Sequence, residues 1–238
     1  MLKVELHSHT ADDPVDRIPY TAIELIDRAA ALGYHALAIT LHDAQLDIRG
    51  LVPYAADRGI VLIPGVERSI EGRHVLLLNF HSGTEDVRTF DDLARLRRRQ
   101  SGLVVAPHPF FPSTSSLRGN LERHAALFDA VERSAMYTPQ LDFNRPAERW
   151  ARRHGKPMVG NGDVHRLAQL GTTFSWVMAE ERSADAICAA IAAGRVTVET
   201  RPVSWAAAAV VMADLAVTSL IPAFAYSRQA RPRPTPAF

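Results

Sequence analysis

The chain has 238 residues, of which 47% are hydrophobic and 22% charged, and these values are typical of one globular domain with a large core. The formal net charge of +1 gives no global argument for a nucleic-acid partner. Cys188 is the single cysteine, which excludes an intrachain disulfide and favours a reducing compartment. The first residues lead directly into a β-like run without the layout of a signal peptide, so we expect a cytoplasmic protein.

Short β-like runs alternate with amphipathic helical stretches along the chain. The predicted strands span residues 4–7, 36–40, 60–64, 74–80, 103–106, 130–132 and 158–160. The predicted helices span residues 21–32, 46–57, 91–100, 140–154 and 183–193, the first opening on a capping box formed by Thr21 and Glu24. This alternation predicts parallel βαβ units and one α/β barrel-like domain over residues 1–200. In such barrels the functional site lies at the carboxyl ends of the strands.

An apolar stretch over residues 205–225, followed by a tail rich in proline and arginine, makes up most of the segment 201–238. Its length and basic flank resemble a membrane anchor. Asp214 opposes insertion, because a charge near the middle of a membrane span costs about 2.5–3.5 kcal/mol, and Pro222 breaks the last helical turn. We therefore favour a packed or amphipathic terminal helix, with membrane contact through this segment or a poorly ordered tail as alternatives.

Histidine and carboxylate side chains recur at or just after the β-like runs. They are His7, His9, His42, Glu67, His74, His108, Asp163 and His165. His7 and His9 point the same way because they are two residues apart on one strand. Imidazole and carboxylate groups bind zinc, iron and manganese, and eight of them exceed what one ion uses. We therefore predict two or three divalent ions that support hydrolysis by a metal-bound hydroxide, with Glu67 able to bridge two ions.

The same segments resemble the motifs of the PHP (polymerase and histidinol phosphatase) superfamily. The matching elements, in chain order, are Glu5-Leu6-His7-Ser8-His9-Thr10, Ala38-Ile39-Thr40-Leu41-His42-Asp43, Pro64-Gly65-Val66-Glu67, His74-Val75-Leu76-Leu77, Ala106-Pro107-His108-Pro109 and Gly162-Asp163-Val164-His165. The resemblance extends from residue 4 to about residue 198. It implies a distorted (β/α)7 TIM-like barrel with metal-dependent phosphoesterase activity, followed by a C-terminal extension over residues 201–238.

The resemblance also implies three metal positions. The ligands of the first ion correspond to His7, His9, Glu67 and Asp163. Those of the second ion correspond to Glu67, His74 and His108, with Glu67 as the bridge. Two ligands of the third ion correspond to His42 and His165. The remaining ligand of that ion is an aspartate or histidine shortly after the first motif, where Asp12 and Asp13 both qualify and Asp12 is slightly favoured.

Leu41 stands where the family has an aspartate before the residue that matches His42. We expect the loss of an outer hydrogen bond at this position to alter the affinity for the third ion. If that third-metal role is weak, His42 or His165 protonates the leaving group instead. The candidate catalytic residues are therefore His42, His165 and Glu67.

Three residues are candidate substrate contacts. Arg68, directly after Glu67, and Arg118, in a long loop, are candidate phosphate clamps because the planar guanidinium fork matches phosphate oxygens. His81 comes just after the predicted strand 74–80, so it is a further candidate for contact with substrate.

The predicted function is hydrolysis of a small phosphomonoester or cyclic phosphate at a site with two or three divalent ions of manganese, iron or zinc. A long insert that nucleotide-acting relatives carry between the elements matching His74 and His108 is absent here, so a nucleic-acid substrate is expected only as a short oligonucleotide. The alternatives are a 5′–3′ exonuclease or nucleoside bisphosphate phosphatase, a histidinol phosphatase, a hydrolase of a non-phosphate bond, and a non-catalytic metal-binding module.

Overall fold

Nine strands and six helices make up the computed structural model, which describes residues 1–206, 208 and 209. The strands are β1 (Leu2–Glu5), β2 (Ala36–Ile39), β3 (Val61–Ile70), β4 (Arg73–Leu78), β5 (Leu103–Ala106), β6 (Ala130–Ser134), β7 (Met158–Asn161), β8 (Thr173–Val177) and β9 (Val196–Thr200). The helices are α1 (Ala22–Ala31), α2 (Val52–Asp57), α3 (Phe90–Arg99), α4 (Gly119–Arg123), α5 (Asn144–His154) and α6 (Ala184–Ala192). Short 3-10 turns span Ala125–Leu127 and Leu167–Gln169.

The strands form one sheet in the order β7-β6-β5-β4-β3-β2-β1-β8-β9. Neighbouring strands are parallel except where β4 and β8 run against both of their neighbours. The sheet curls until β7 meets β8, where the hydroxyl of Ser175 accepts from the Gly160 amide at 2.9 Å and donates to the Gly160 carbonyl at 3.1 Å. At the other end of β7, Ser8 and Val164 form a parallel bridge. The result is a nearly closed barrel, which confirms the predicted distorted TIM-like fold.

Two features of the sheet differ from the sequence prediction. The prediction included neither β8 nor β9, although these antiparallel strands fill the gap between β1 and β7. The prediction also relied on parallel βαβ units, whereas β3 continues to Ile70 and turns back directly into the antiparallel strand β4. A tight hairpin needs no crossover helix, and the helical spacing that signals a parallel connection is therefore missing between β3 and β4.

The first helix shows how local sequence sets an element's position. The Thr21 hydroxyl accepts from the Glu24 amide at 3.3 Å, and the Glu24 carboxylate accepts from the Thr21 amide at 2.7 Å, so the predicted capping box is present. Leu25 and Ile26 on the inner face of α1 are fully buried. Gly33 follows the helix with a φ of +71°, a conformation that glycine adopts without steric cost.

Helix α6 packs against the end of the barrel opposite the carboxyl ends of the parallel strands. Its residues Ile187 and Ile191 belong to the same buried cluster as Leu78 and Leu103, which lie where β4 ends and β5 begins. Burial of these side chains stabilises this end of the barrel by about 1.5–3 kcal/mol for each aliphatic chain. The opposite end, at the carboxyl ends of the parallel strands, is left free for polar groups.

The predicted apolar stretch at 205–225 lies largely outside the described residues, so the division into 1–200 and 201–238 stays a prediction. At its start, the Trp205 indole donates to the Gln140 amide oxygen at 3.0 Å. Among the helices that the structure describes, none combines the length and the apolar character needed to cross a bilayer.

Candidate metal centre

The predicted metal ligands converge at the carboxyl end of the barrel. The main-chain bridge between Ser8 and Val164 brings together the first motif, residues 5–10, and the last motif, residues 162–165. Val164 donates to the His7 carbonyl at 3.1 Å, and His9 donates to the Val164 carbonyl at 3.1 Å. Because side chains alternate along extended chain, Ser8 and Val164 face away while their flanking residues point together into the barrel mouth.

Glu67 lies at the centre of the cluster and is almost fully buried, with 1% of its side chain exposed. Its Oε2 atom lies 3.1 Å from His7 Nε2, 3.4 Å from His9 Nε2 and 3.2 Å from His42 Nε2. A parallel main-chain bridge between His42 and Glu67 places these two residues at the same level along the barrel axis. One carboxylate oxygen therefore faces three imidazoles that come from two different strand ends.

The second oxygen of Glu67 faces a different pair of histidines. Its Oε1 atom lies 2.7 Å from His74 Nδ1 and 3.3 Å from His108 Nε2. His74 reaches the site because β4 runs antiparallel, so that the start of β4 lies at the same barrel end as the carboxyl ends of its parallel neighbours. A carboxylate whose two oxygens face separate histidine groups has the geometry to bridge two cations.

Asp163 completes the side of the cluster next to the first motif. Its Oδ1 atom lies 3.3 Å from His7 Nε2, 3.5 Å from His9 Nε2 and 3.4 Å from His165 Nδ1. Asp163 has a φ of +47° and His108 a φ of +27°, conformations that non-glycine residues rarely adopt. Such strain costs about 1–3 kcal/mol per residue and is concentrated at functional sites.

The ionisation of the two central carboxyl groups also favours cation binding. Burial acts to raise the pKa of Glu67, but the imidazoles of His74, His7 and His42 outweigh burial and hold this pKa well below its usual range. Burial likewise acts to raise the pKa of Asp163, and the neighbouring His7 and His165 outweigh it, so that this pKa is also well below its usual range. Both carboxylates are therefore charged at neutral pH.

The donor set fits divalent cations. The Nε2 atoms of His7 and His9 are buried and, although they face the Glu67 carboxylate, neither has a partner with hydrogen-bond geometry among the described residues. Buried polar atoms in proteins are normally satisfied, and a cation is the partner that an imidazole lone pair among carboxylates would take. Several triads of these side chains lie close enough to share an ion, including His7, His9 and Glu67, and His42, Glu67 and His74. Nitrogen and oxygen donors without thiolate suit manganese, iron and zinc.

Glu132 orients the imidazoles from behind and was not predicted from the sequence. Its Oε2 atom lies 2.8 Å from His7 Nδ1 and accepts from the side-chain amide of Asn161 at 3.1 Å. Its Oε1 atom accepts from the main-chain amide of His108 at 3.1 Å. A proton on His7 Nδ1 leaves the Nε2 lone pair for a cation. The sequence signal was slight, because Glu132 follows the apolar pair Ala130 and Val131 in a strand that continues with the polar residues Arg133 and Ser134.

Glu5 is a second buried carboxyl group beneath the first motif. It accepts from the Gly162 amide at 3.0 Å and from the His7 amide at 3.1 Å. Burial raises the pKa of Glu5 to about 8, against the opposing effect of these hydrogen bonds. A side chain at Gly162 would contact both the Glu5 carboxylate and Val164, which explains the glycine before Asp163.

The loop after the first motif places Asp13 in the cluster and corrects the preference for Asp12. Asp13 Oδ2 lies 2.8 Å from His9 Nδ1 and 3.0 Å from His42 Nδ1, whereas Asp12 is exposed and accepts only from Thr10. Asp16, which the sequence reasoning did not single out, lies 3.0 Å from His165 Nε2. An irregular loop has no side-chain period from which the inward-facing aspartate could be identified.

Arg68 is not free to clamp a phosphate, contrary to the sequence prediction. Its guanidinium is buried and donates to the carbonyls of Val87 at 2.8 Å, Asp43 at 2.9 Å and Glu85 at 2.8 Å. Successive side chains on a strand face opposite ways, so the residue after Glu67 points out of the barrel. Arg68 therefore holds outer loops against β3.

His81 and Arg118 are also placed away from the cluster. His81 follows the end of β4 that lies beside α6, and its main-chain amide donates to Gln100 just before β5. This is the opposite end of the barrel, because β4 runs antiparallel to its neighbours. Arg118 is exposed at a φ of +48° and does not line the cavity above the cluster.

A cavity of about 210 Å³ opens above the cluster. Its floor consists of His42, Glu67, His74, His108, Asp163 and His165. Its rim consists of Asp16, Phe111, Ser113, Ser115, Ser134, Met136 and Gln169. The volume is below the range of about 300–1,000 Å³ that encloses a whole drug-sized ligand, so the cavity suits one small group with the rest of a substrate reaching out.

Comparison with known proteins links this geometry to a family. Residues 142–196 match the family model described as PHP-associated. The sequence has no match among curated proteins. The fold is similar to that of a two-domain protein from Bacteroides vulgatus that contains a predicted PHP-like metal-dependent phosphoesterase, with 20% identity and a TM-score of 0.65. The match covers 84% of this chain and 65% of that chain, so this chain spans less than two thirds of that protein.

Two further solved structures share the fold. The lesion-specific endonuclease EndoQ of Pyrococcus furiosus has 17% identity and a TM-score of 0.52, covering 83% of this chain and 57% of that one. An amidohydrolase from Chromobacterium violaceum, with bound sulfate and no metal, has 20% identity and a TM-score of 0.53, covering 68% of this chain and 87% of that one. Taken with the PHP-associated segment and the barrel, these comparisons confirm that this chain resembles the PHP superfamily, as its six sequence elements predict.

Proposed function

We propose that this protein is a metal-dependent phosphoesterase that hydrolyses a small phosphomonoester or a cyclic phosphate at a site with two or three divalent ions. The observation that carries the proposal is the position of Glu67, whose two carboxylate oxygens face two separate histidine groups. A structural ion needs only one closed ligand set, whereas paired cations on either side of a carboxylate are typical of phosphate-ester hydrolysis.

The residues divide naturally between the cations. The first ion would be held by His7, His9, Glu67 and Asp163. The second ion would be held by Glu67, His74 and His108. A third would be held by His42 and His165 together with Asp16. Bound ions would supply Lewis acidity to the phosphate oxygens and acidify the attacking water.

The protein's own groups would position the substrate and move the proton. Glu132 and Asp13 fix the imidazole orientations through the Nδ1 atoms of His7, His9 and His42. His42 and His165 both line the cavity, so either imidazole can donate a proton to the leaving alkoxide if it is not engaged by a cation. The cavity of about 210 Å³ would hold the phosphoryl group and leave the alcohol at its mouth.

The test measures metal content and phosphatase turnover on the same protein. We expect at least two divalent ions per chain and hydrolysis of a chromogenic phosphomonoester with added Mn²⁺. Glu67→Gln should lower both the metal content and, by about 100-fold or more, the turnover. Glu180→Gln, at a fully solvated position, is the matched control and should change neither. Fewer than two ions together with no turnover would contradict the proposal.

A second candidate is cleavage of a phosphodiester in nucleic acid. It is favoured by the shared fold with EndoQ, which is an endonuclease. The small cavity and the net charge of +1 argue for a short oligonucleotide rather than a long duplex. Adding short oligonucleotides to the ester panel separates the two candidates, because the second predicts that they are hydrolysed faster than any monoester.

A further inference from the structure

The rim of the cavity has two unlike sides. One side is uncharged and consists of Phe111, Ser113 and Ser115 from the loop after β5, and Ser134 and Met136 at the end of β6. We call these five residues the neutral wall. The other side includes Asp16, a carboxylate with 28% of its side chain exposed that lies 3.0 Å from His165 Nε2. Of the thirteen cavity-lining residues in the described part of the chain, none is a lysine or an arginine.

Two arginines on the neighbouring strands β3 and β4 are engaged away from the cavity. Arg73 donates to the carbonyl of Thr114 and, at 3.2 Å, to that of Ser116, so its charge holds the serine loop from outside the cavity. Arg68 is buried behind β3 among three carbonyls. The wall therefore offers hydroxyl groups and apolar surface, but no counter-ion for an anionic group of a substrate.

The neutral wall is fixed relative to the proposed metal ligands. The Phe111 amide donates to the His108 carbonyl at 3.0 Å, and the Phe111 ring meets the Phe143 ring edge-on with centroids 5.6 Å apart. The hydroxyls of Ser113 and Ser115 are 2.7 Å apart and bond to each other. A ring and a hydroxyl pair are thus held in place beside the floor of the cavity.

We propose that the neutral wall is the leaving-group subsite of the phosphoesterase and that it selects a single phosphate ester of an uncharged, ring-bearing alcohol. The inference rests on the proposed function. A ring of the alcohol would pack on Phe111 and Met136, and its hydroxyls would bond to Ser113 and Ser115. A second phosphate on the alcohol would meet no cation and would face Asp16, so its desolvation would go uncompensated.

Adenosine 5′-monophosphate and adenosine 3′,5′-bisphosphate are matched probes, because they differ by one phosphate on the same alcohol. We expect kcat/KM of the Mn²⁺-loaded protein to be about tenfold or more higher for the monophosphate. Equal or higher kcat/KM for the bisphosphate would overturn the inference. If Arg17→Gln or Arg166→Gln then abolishes the bisphosphate turnover, the substituted arginine is the cation that binds the second phosphate. The neutral wall is then again rejected as the selective subsite.

Two substitutions test the wall itself. Phe111→Ala should raise KM for adenosine 5′-monophosphate by about tenfold with little change in kcat, and Phe111→Tyr should retain the native KM. Ser115→Arg should raise kcat/KM for the bisphosphate relative to the monophosphate, whereas Ser115→Gln should not. An unchanged KM in Phe111→Ala, or an unchanged substrate ratio in Ser115→Arg, would overturn the inference.

Failure of this inference and failure of the proposed function give different results. If the metal-loaded protein hydrolyses phenyl phosphate but prefers the bisphosphate, the phosphoesterase function stands and the subsite is wrong. If the metal-loaded protein hydrolyses neither phenyl phosphate nor either nucleotide, the proposed function falls and the subsite falls with it.

Discussion

The two ends of the barrel are chemically opposite. At the end closed by α6, Ile187, Ile191, Leu78 and Leu103 pack in one apolar cluster, beside a side-chain hydrogen bond from Asn79 to Asp185. At the other end, Glu67 is surrounded by the fully buried His7 and His9 and the less buried His42, His74 and His108. Among the described residues, the Nε2 atoms of His7 and His9 have no hydrogen-bond partner. The first end is stabilised mainly by apolar packing, while the second carries strained residues and buried imidazole nitrogens that a cation would engage. Stability and chemistry are therefore separated along the barrel axis.

This separation predicts that substitutions at one end change catalysis and those at the other change stability. The largest effect is expected for His9→Ala, which removes an imidazole that faces both Glu67 and Asp163. We expect kcat/KM on a chromogenic phosphomonoester to fall by about 1,000-fold, equivalent to about 4 kcal/mol of lost transition-state stabilisation. His81→Ala, at the far end, is the matched control and should retain activity. Full activity in His9→Ala would remove this histidine from the metal centre.

The converse effect is expected at the apolar end. Ile187→Ala leaves a cavity in a fully buried cluster and should lower the free energy of unfolding by about 2–5 kcal/mol, measured by urea denaturation. Turnover at 25 °C should stay within about twofold of the native value, because Ile187 on α6 lies at the end of the barrel opposite the proposed metal ligands. Val52→Ala, at a half-exposed position, should change stability by less than about 0.5 kcal/mol. A large loss of turnover in folded Ile187→Ala would mean that the two ends are coupled.

A smaller effect is expected for substitution of Glu132, the carboxylate that orients the His7 imidazole. Glu132→Gln keeps the size of the side chain but removes the charge that orients His7, and we expect metal affinity and turnover to fall by about 10–100-fold. The fall should be measured by competition with a chelator. Native affinity in Glu132→Gln would show that the carboxylate serves packing alone.

The smallest effect concerns Cys188, the only cysteine in the sequence and part of the apolar cluster. Burial raises the pKa of its thiol to about 12, so that the reactive thiolate is scarce at pH 8. We expect slow reaction with a thiol reagent in the native protein and fast reaction in urea. Treatment with EDTA should leave the native rate unchanged, and a faster rate after EDTA would show that metal loss loosens the far end.

The sequence predicted most of what local pattern can encode. The strands that carry His7, His42 and His108 were located, and so was the capping box of α1, because each depends on neighbours within a few residues. The comparisons with other proteins support the resemblance drawn from these motifs, and the roles of the individual ligands stay predictions.

What the sequence did not predict depends on distant contacts. Glu132 meets His7 across 125 residues of chain, and Asp16 meets His165 across 149. The outward direction of Arg68 followed from strand alternation and could have been foreseen once Glu67 was placed inside the barrel. The position of His81 could not have been foreseen, because it depends on β4 running antiparallel to its neighbours.

The most direct test of the paired-cation site is anomalous X-ray scattering from crystals of the Mn²⁺-loaded protein. We expect two separate anomalous peaks, one beside Glu67 Oε1 on the side of His74 and His108, and one beside Oε2 on the side of His7 and His9. A single peak, or peaks that do not contact Glu67, would contradict the bridging role of this carboxylate.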